Sequence, residues 1–412
     1  MLINIGLLGF GVVGSAVEKL VKLNSAVIEK NTGLNLKIKG IADNDSGKKH
    51  HLLTKNAYDV INDPEISVIV EAIGGEKPAL EFILAAIDAG KHVVTSNKVV
   101  IALHLNKILE RAKAKGVNVL FEASVGGGIP IIGPLSNDLA ANQITEVYGI
   151  VNGTTNYILS KMKEMEFEEA LKDAQKMGYA EADPKLDIEG FDASYKAAIL
   201  ASVAFKAEID WKKINFEGIS AIMQEDIRYA GDMGYAIKLL AIAKNIDDEI
   251  DIRVHPTLVS KIHPLANIDG AMNAIYVKGN AVGELMFYGQ GAGGMATASA
   301  VVGDVVKCVK NQSENSFSLM PAKIKDSSVI ASRYYIRLAA LDKSGVLAGI
   351  STVFADENVS IATVVQKETI GKVATIVIVI HETKDADLRK AIAKLKKLPT
   401  IKKVCSVIRV GL

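Results

Sequence analysis

The chain has 412 residues, enough for two or three domains with cores of their own, and its 49% apolar and 23% charged content is ordinary for a globular protein. A net charge of +1 removes any global electrostatic case for nucleic acid or membrane partners. Two cysteines, Cys308 and Cys405, lie far apart, which excludes a disulfide framework and a cysteine metal site and fits a reducing compartment.

Residues 2–8 predict a short apolar strand, followed by Gly9-Phe10-Gly11-Val12-Val13-Gly14 and a helix to about Lys30. A strand from Lys37 to Ala42 ends at Asp43. Val68 to Ala72 is a third strand, followed by Gly74-Gly75 and a helix to Gly90. His92 to Thr95 is a strand, Lys98 to Lys115 a helix, and Val117 to Phe121 a last strand. Strands alternating with helices imply an α/β, doubly wound parallel sheet. Gly126-Gly127-Gly128-Ile129-Pro130 breaks that rhythm, and residues 131 to about 270 mix helices with a few strands. Val282 to Tyr288 reads as a strand, and Met295 to about Lys310 as a helix. Residues 311–333 are polar and partly Ser/Asn/Pro-rich, the composition of a linker. From Tyr334 the pattern is strand, Asp-Lys-Ser-Gly turn, helix, strand, strand, helix, strand, a ferredoxin-like βαββαβ unit. The expected division is 1–130, completed by about 285–315; an α+β substrate and dimerisation domain at 131–284; a linker at 316–333; and a regulatory domain at 334–412. The N-terminus lacks a signal peptide's basic start and cleavage site, and no apolar run reaches about 18 residues, so a cytoplasmic location without membrane contact is expected.

Gly9-x-Gly11-x-x-Gly14 sits directly after a strand and opens a helix, which is the setting that makes it a Rossmann dinucleotide loop. Gly9 allows the tight turn, Gly11 the approach of backbone N–H groups to a pyrophosphate, and Gly14 the close packing of helix on strand. Asp43 would hydrogen-bond a ribose 2′-hydroxyl and repel a 2′-phosphate, so NAD is slightly favoured over NADP. Lys48 and Lys49 could instead meet a phosphate.

The segment GYAEADPKLDIEGFDASYK, residues 178 to 196, carries charges into the mouth of an apolar helix. Asp192 and Lys196 are four apart and share one helical face. Exposed, they would be a weak ion pair. Beside an apolar core, Lys196 could act as a general acid or base, because desolvation lowers its pKa and the carboxylate orients it. Asp183-Pro184 and Asp187 read as turn chemistry, and Glu181 could face a ligand amine.

Ala174, Gly178-Tyr179-Ala180, Asp183-Pro184, Asp187-Ile188, Gly190, Asp192 and Lys196 resemble, without a gap, the signature of homoserine dehydrogenases. Gly9–Gly14 resembles that family's dinucleotide loop, and Thr95-Ser96-Asn97-Lys98 its segment at the nicotinamide. Glu122 to Pro130 resembles its monovalent-cation loop, Asn152-Gly153-Thr154-Thr155-Asn156 the following strand-to-helix turn, and Tyr288 to Gly293 its closing glycine loop. The resemblance implies interconversion of L-homoserine and L-aspartate 4-semialdehyde, in threonine, methionine and isoleucine biosynthesis. It implies Lys196 as general acid/base, Asp192 as a substrate-positioning group, Glu181 on the substrate ammonium, and Gly178 lining the pocket with Asp187 nearby. Lys98 would face the substrate or nicotinamide. Gly9 to Gly14, Asp43, Gly74, Thr95, Ser96, Lys98, Gly178, Glu181 and Gly291 would meet the cofactor. A sodium or potassium ion would take the backbone carbonyls of Glu122, Val125, Gly127 and Ile129, a loop that by its residues alone reads as a hinge.

Leu341-Asp342-Lys343-Ser344-Gly345-Val346-Leu347 before a helix resembles an ACT domain, in which such a corner binds an amino acid, often at a dimer interface. Asp342, Gly345, Val346 and Leu347 are then the regulatory candidates, with threonine as the first effector to consider. An autonomous module is expected, in a homodimer or homotetramer. From Tyr334 to the end there are thirteen Lys or Arg against seven Asp or Glu, which reads as a solvated helix face rather than a nucleic-acid surface. No kinase-like segment precedes Met1, so a bifunctional kinase–dehydrogenase is not expected. The rival readings are another semialdehyde dehydrogenase of the same fold, and a non-catalytic amino-acid sensor; the latter should have lost Glu181, Asp192, Lys196 or Lys98, and all are present.

Overall fold

A computed structural model describes residues 1–247, 249–310 and 318–412. Six parallel strands open the chain: β1 (Leu2–Leu8), β2 (Asn35–Ala42), β3 (Leu53–Thr54), β4 (Val68–Glu71), β5 (His92–Thr95) and β6 (Val119–Leu120), in the order β3-β2-β1-β4-β5-β6. Helices cover both faces, so Val68, Ile69 and Val70 are fully buried, as an unbroken β-branched run in a parallel sheet demands. The helix expected up to Lys30 is divided at Asn24 into α1 (Val12–Leu23) and α2 (Ser25–Thr32). The second half buries no residue fully and touches the core through the half-buried Ile28. The short β3 and α3 (Ala57–Ile61) stand where no element was expected, because two and five residues are too few to show a period. α4 (Ala79–Asp88) and α5 (Lys98–Lys115) complete one face. The other face is closed by α11 (Gly294–Val309), whose Ala298, Val301, Val305 and Cys308 are fully buried in the core beneath α1.

The middle region sets α6 (Gly153–Lys161), α7 (Phe167–Lys176), α8 (Lys185–Ile188), α9 (Phe191–Phe205) and α10 (Gln224–Asp232) with the antiparallel strands β7 (Ile144–Ile150), β10 (Tyr235–Ile246), β11 (Glu249–Ser260), β12 (Met272–Gly279) and β13 (Gly283–Gln290). α9 is buried along almost its whole length, with Ala197, Ala198, Ile199 and Leu200 against Ile237 and Leu239 of β10 and Ile252 and Val254 of β11 in one apolar core. A helix apolar all round belongs inside, and that is where its two charged residues are carried.

The C-terminal unit is β16 (Ala331–Leu341), α12 (Val346–Asp356), β17 (Ile361–Ile370), β18 (Val373–Lys384), α13 (Asp385–Leu395) and β19 (Ile401–Val410). It is not a detached module. β19 pairs in parallel with β11, Thr257 opposite Arg409 and Leu258 opposite Val410, so that middle and C-terminal strands form one eleven-stranded sheet among the described residues. Tyr335, Val377, Val379 and Ile408 enter the same apolar core as α9. Beside them Asp226 of α10, fully buried, accepts hydrogen bonds from Arg337 Nε (2.6 Å), Ser406 Oγ (2.6 Å) and Tyr335 OH (3.1 Å). Residues 316 and 317 of the expected linker lie outside the described residues. The rest is no free tether: β14 (Met320–Pro321) pairs with β8 (Ala207–Glu208), and β15 (Lys323–Ile324) with β11. Its polar composition reflects a missing period, whereas the pairing uses backbone groups that every residue carries.

Candidate active site

The first turn after β1 is tight. A side chain at Gly9, which stands at φ 94°, would meet the Ala72 carbonyl at 2.6 Å, and one at Gly14 would meet the Gly9 carbonyl at 2.1 Å. Around Gly11 there is open space, and α1 begins there without a side-chain cap, so its first N–H groups face outward to an anion. Val12, in that first turn, is exposed, and Val13 packs against the core under α1. A cavity of about 460 Å³ adjoins the loop, lined among others by Gly9, Gly11, Asp43, Lys48, Lys55 and Phe82. Asp43 accepts from Phe10 N–H (2.6 Å), Lys48 Nζ (2.7 Å) and Asp45 N–H (2.9 Å). Burial pushes its carboxyl up, but Lys48 and the two N–H groups hold it below the ordinary value.

At the carboxyl ends of β4 and β5, the fully buried Glu71 accepts from Thr95 Oγ1 (2.6 Å) and Ile73 N–H (2.8 Å). Ser96 N–H reaches the Glu71 carbonyl at 3.4 Å. Asn97 caps α5 through Val100 N–H (3.2 Å) and donates to the Gly75 carbonyl (2.7 Å), next to Gly74 at φ 83°. These bonds fix Lys98 as the first residue of α5, aimed across the seam at α9.

There Lys98 and Lys196 share one carboxylate. Asp192 Oδ1 accepts from Lys98 Nζ, and Oδ2 from Lys196 Nζ (2.8 Å) and Asn152 Nδ2 (2.8 Å). Lys196 also donates to the Val151 carbonyl (2.7 Å). Burial raises the Asp192 carboxyl, but the two lysines outweigh it and hold it well below the carboxylate range. Lys98, 40% exposed, loses some proton affinity to desolvation and gains more from Asp192, for a net rise. Lys196, 11% exposed, is lowered: desolvation is its largest influence, Asp192 opposes it, and the like charge of Lys98 adds to it. Two cations compete for one anion, and the more deeply buried one is left readier to lose its proton. Asp187 accepts from Asn152 Nδ2 (2.7 Å); burial and then Asp192 push its carboxyl up. Gly178, at φ 76°, and the exposed Glu181 lie on the loop leading to this cluster, and the Glu181 charge reaches Lys98.

The segment from Glu122 is held from below. Glu122 accepts through its carboxylate from the N–H groups of Ile131 (2.6 Å), Ile132 (2.7 Å) and Gly133 (2.8 Å), and donates its own N–H to Asp304 (2.8 Å). Gly126 and Gly127 turn the chain at φ 71° and 56°. The buried carbonyls of Val125, Gly127 and Ile129 accept no backbone hydrogen bond among the described residues, while that of Glu122 is met only by Val125 N–H at 3.4 Å. Under-used carbonyls on a curled loop are the ligand type that suits a hard monovalent cation.

Asp342, Gly345, Val346 and Leu347 stand at the corner between β16 and α12, away from the lysine cluster; Gly345 is at φ 85°, and Leu347 is 44% exposed. Two participants carried no expected role. Asn152 ends β7's connection, caps α6 through Thr155 N–H (2.8 Å), and bridges Asp187 to Asp192. Its cap is legible as Asn-Gly-Thr-Thr; its second use is not, because the two aspartates reach it only in three dimensions. Glu71 reads as part of a strand and gives no local signal.

The glycine loop opening α1 and the Lys98–Asp192–Lys196 cluster beyond the carboxyl ends of the first sheet define the class of NAD(P)-dependent oxidoreductases. Comparison with known proteins narrows the class. The homoserine dehydrogenase model matches residues 130–306, the homoserine dehydrogenase NAD-binding domain residues 9–122, and the ACT domain residues 334–400. The homoserine dehydrogenase of Corynebacterium glutamicum is 41% identical, covering 99% of this chain and 95% of its own, and that of Bacillus subtilis 40%, covering 99% and 98%. The crystal structure of a homoserine dehydrogenase from Thiobacillus denitrificans superposes with a TM-score of 0.94 at 42% identity, over 100% of this chain and 98% of its own. A hyperthermophilic archaeal homoserine dehydrogenase in complex with NADPH superposes with a TM-score of 0.66 at 28% identity, over 76% of this chain and 98% of its own. The chain belongs to the homoserine dehydrogenase family and carries an ACT domain. Among the described residues, no helix is long and apolar enough to cross a membrane.

Proposed function

We propose that Lys196 is the general acid/base with which this enzyme interconverts L-homoserine and L-aspartate 4-semialdehyde. The observation that carries the reading is the burial of Lys196 against Asp192 with Lys98 on the carboxylate's other oxygen. A bound nicotinamide cofactor supplies or takes the hydride. Lys196 gives its proton to the carbonyl oxygen in reduction and removes the hydroxyl proton in oxidation. Asp192 holds both ammonium groups, Lys98 faces substrate from the cofactor side, and Glu181 is placed to receive the substrate ammonium, with Gly178 and Asp187 around it. Such a product feeds the biosynthesis of threonine, methionine and isoleucine. Homoserine-dependent reduction of NAD or NADP, followed by absorbance, tests the reading; no reduction with either cofactor would end it.

NAD is the favoured cofactor because the Asp43 carboxylate lies at the cavity beside the glycine loop, where ribose hydroxyls would reach it. Lys48 and Lys55 on the same cavity, and the NADPH complex of the archaeal relative, support NADP as the alternative. Asp43→Ala is expected to raise the KM for NAD about 10- to 100-fold, the worth of a charged hydrogen bond, and to narrow the gap to NADP. A parent enzyme that prefers NADP, unchanged by the substitution, would hand the choice to Lys48.

The carbonyls of Glu122, Val125, Gly127 and Ile129 would hold a sodium or potassium ion, whose charge would brace the loop between the two domains. The ACT corner at Asp342, Gly345, Val346 and Leu347 is the candidate effector site, with threonine first in line; calorimetric titration of the full chain with threonine, methionine, isoleucine and lysine tests it, and absence of heat with all four would remove the sensing role. β17 is the outer strand of the long sheet, with β18 as its only partner among the described residues, and its open edge fits assembly as a homodimer or homotetramer. Sedimentation showing only monomer would contradict that assembly.

A further inference from the structure

Asn273 on β12 is fully buried, and among the described residues neither its amide oxygen nor its amide nitrogen has a hydrogen-bond partner. Burying an unmet amide is costly, and a carbon side chain of similar shape would remove the cost. The amide is pressed against the glycine segment that follows β13. A Cβ on Gly291 would fall 1.9 Å from Asn273 Nδ2, while Gly291 itself does not adopt a positive φ. Glycine stands there to make room for the amide, not to relieve the backbone.

That segment touches the rest of the site on both sides. A Cβ on Gly127 would meet the Gly291 carbonyl at 2.6 Å, and Gly128 N–H donates to the Gln290 carbonyl at 3.2 Å, so residues 290 and 291 lean on the candidate cation loop. Beyond Gly293, α11 opens against the dinucleotide loop, a Cβ on Gly294 falling 3.2 Å from the Val12 carbonyl. Asn273 therefore underlies the stretch of backbone that joins the cation loop to the nucleotide loop. Glycines at 289, 291, 293 and 294 let this stretch move by a fraction of an ångström without side-chain resistance.

We propose that Asn273 is a positioning residue for the dehydrogenase reaction, whose amide pairs with the backbone of residues 290–292 when cofactor is seated and so ties that segment in its cofactor-bound place. The inference rests on the dehydrogenase reading. It explains why a fully buried amide is kept with no partner: the bonds belong to the loaded enzyme.

The test uses the full-length chain carrying Asn273→Leu. Thermal unfolding without cofactor, titration with whichever of NADH and NADPH the parent binds better, and steady-state kinetics are compared. The expected result is a thermal midpoint equal to or a few degrees above the parent's, a cofactor Kd raised about tenfold, and kcat at saturating cofactor within about threefold. Should the Leu variant not fold, Asn273→Ala removes the amide without adding bulk and should show the same rise in Kd. Cofactor affinity within twofold of the parent in the folded variant overturns the proposal, whether or not stability changes. A parent chain that binds cofactor yet never oxidises homoserine would instead sink the dehydrogenase reading, and the titration would still decide on Asn273.

Discussion

Replacing Lys196 with Ala is expected to lower turnover by about 100- to 10,000-fold in both directions while cofactor affinity stays near that of the parent. The substitution removes the buried ammonium between Asp192 and the Val151 carbonyl and touches nothing in the loop from Gly9 to Gly14. Asp192 keeps Lys98 and Asn152 as partners, so no unpaired charge is left in the core. The pH profile adds a second reading. Oxidation needs Lys196 without its proton, so its rate should rise with pH through the lysine's pKa, and reduction should fall over the same window. That window lies below the range of an ordinary lysine, because burial, and then the charge of Lys98, favour the neutral amine. Lys98→Ala removes the like charge and leaves the Asp192 carboxylate to Lys196 and the neutral Asn152 amide, so the midpoint should move to higher pH. Parent-like turnover in the Lys196→Ala enzyme would transfer the proton to another group, with Lys98 the next to test.

The second large effect is on stability. Arg337→Ala should cost about 3–5 kcal/mol, because it strips Asp226 of the cationic partner it has among the described residues, Arg337 Nε and Nη2, while the carboxylate stays fully buried. Among the described residues, the hydroxyls of Ser406 and Tyr335 and the Met223 N–H then remain on it. A fall in thermal midpoint of about 5–10 °C is expected. The paired replacement Asp226→Leu with Arg337→Met should recover much of the loss, since a desolvated ion pair gains little over apolar groups of like volume. Truncation before Ser332 would bare the apolar core that Tyr335, Val377, Val379 and Ile408 cover, and should give an aggregating chain rather than the free-standing active enzyme that a tethered module would leave. Arg337→Ala with a parent-like midpoint, or a soluble and active truncated chain, would show that the two parts hold together without this contact.

Local grammar made much of the fold legible. Alternating apolar runs and helical periods placed the strands Leu2–Leu8 and His92–Thr95 and the helix Lys98–Lys115 at the bounds the structure shows, since both periods are properties of a single segment. The glycine spacing after β1, and the Asp192–Lys196 interval on an apolar helix, likewise name their chemistry over a few residues. What the chain order hides was decided by tertiary structure. Lys98 meets Asp192 across the seam between α5 and α9, and Asn152 reaches two aspartates across a turn. The same holds for the C-terminal unit: its polar approach suggested a tether, yet β19 extends the sheet at β11 and Arg337 seeks Asp226. Such pairings depend on which surfaces face each other once the cores have formed. A sequence carries that information only in the sum of its packing, whereas periods, caps and turns are written within the reach of one helix or strand.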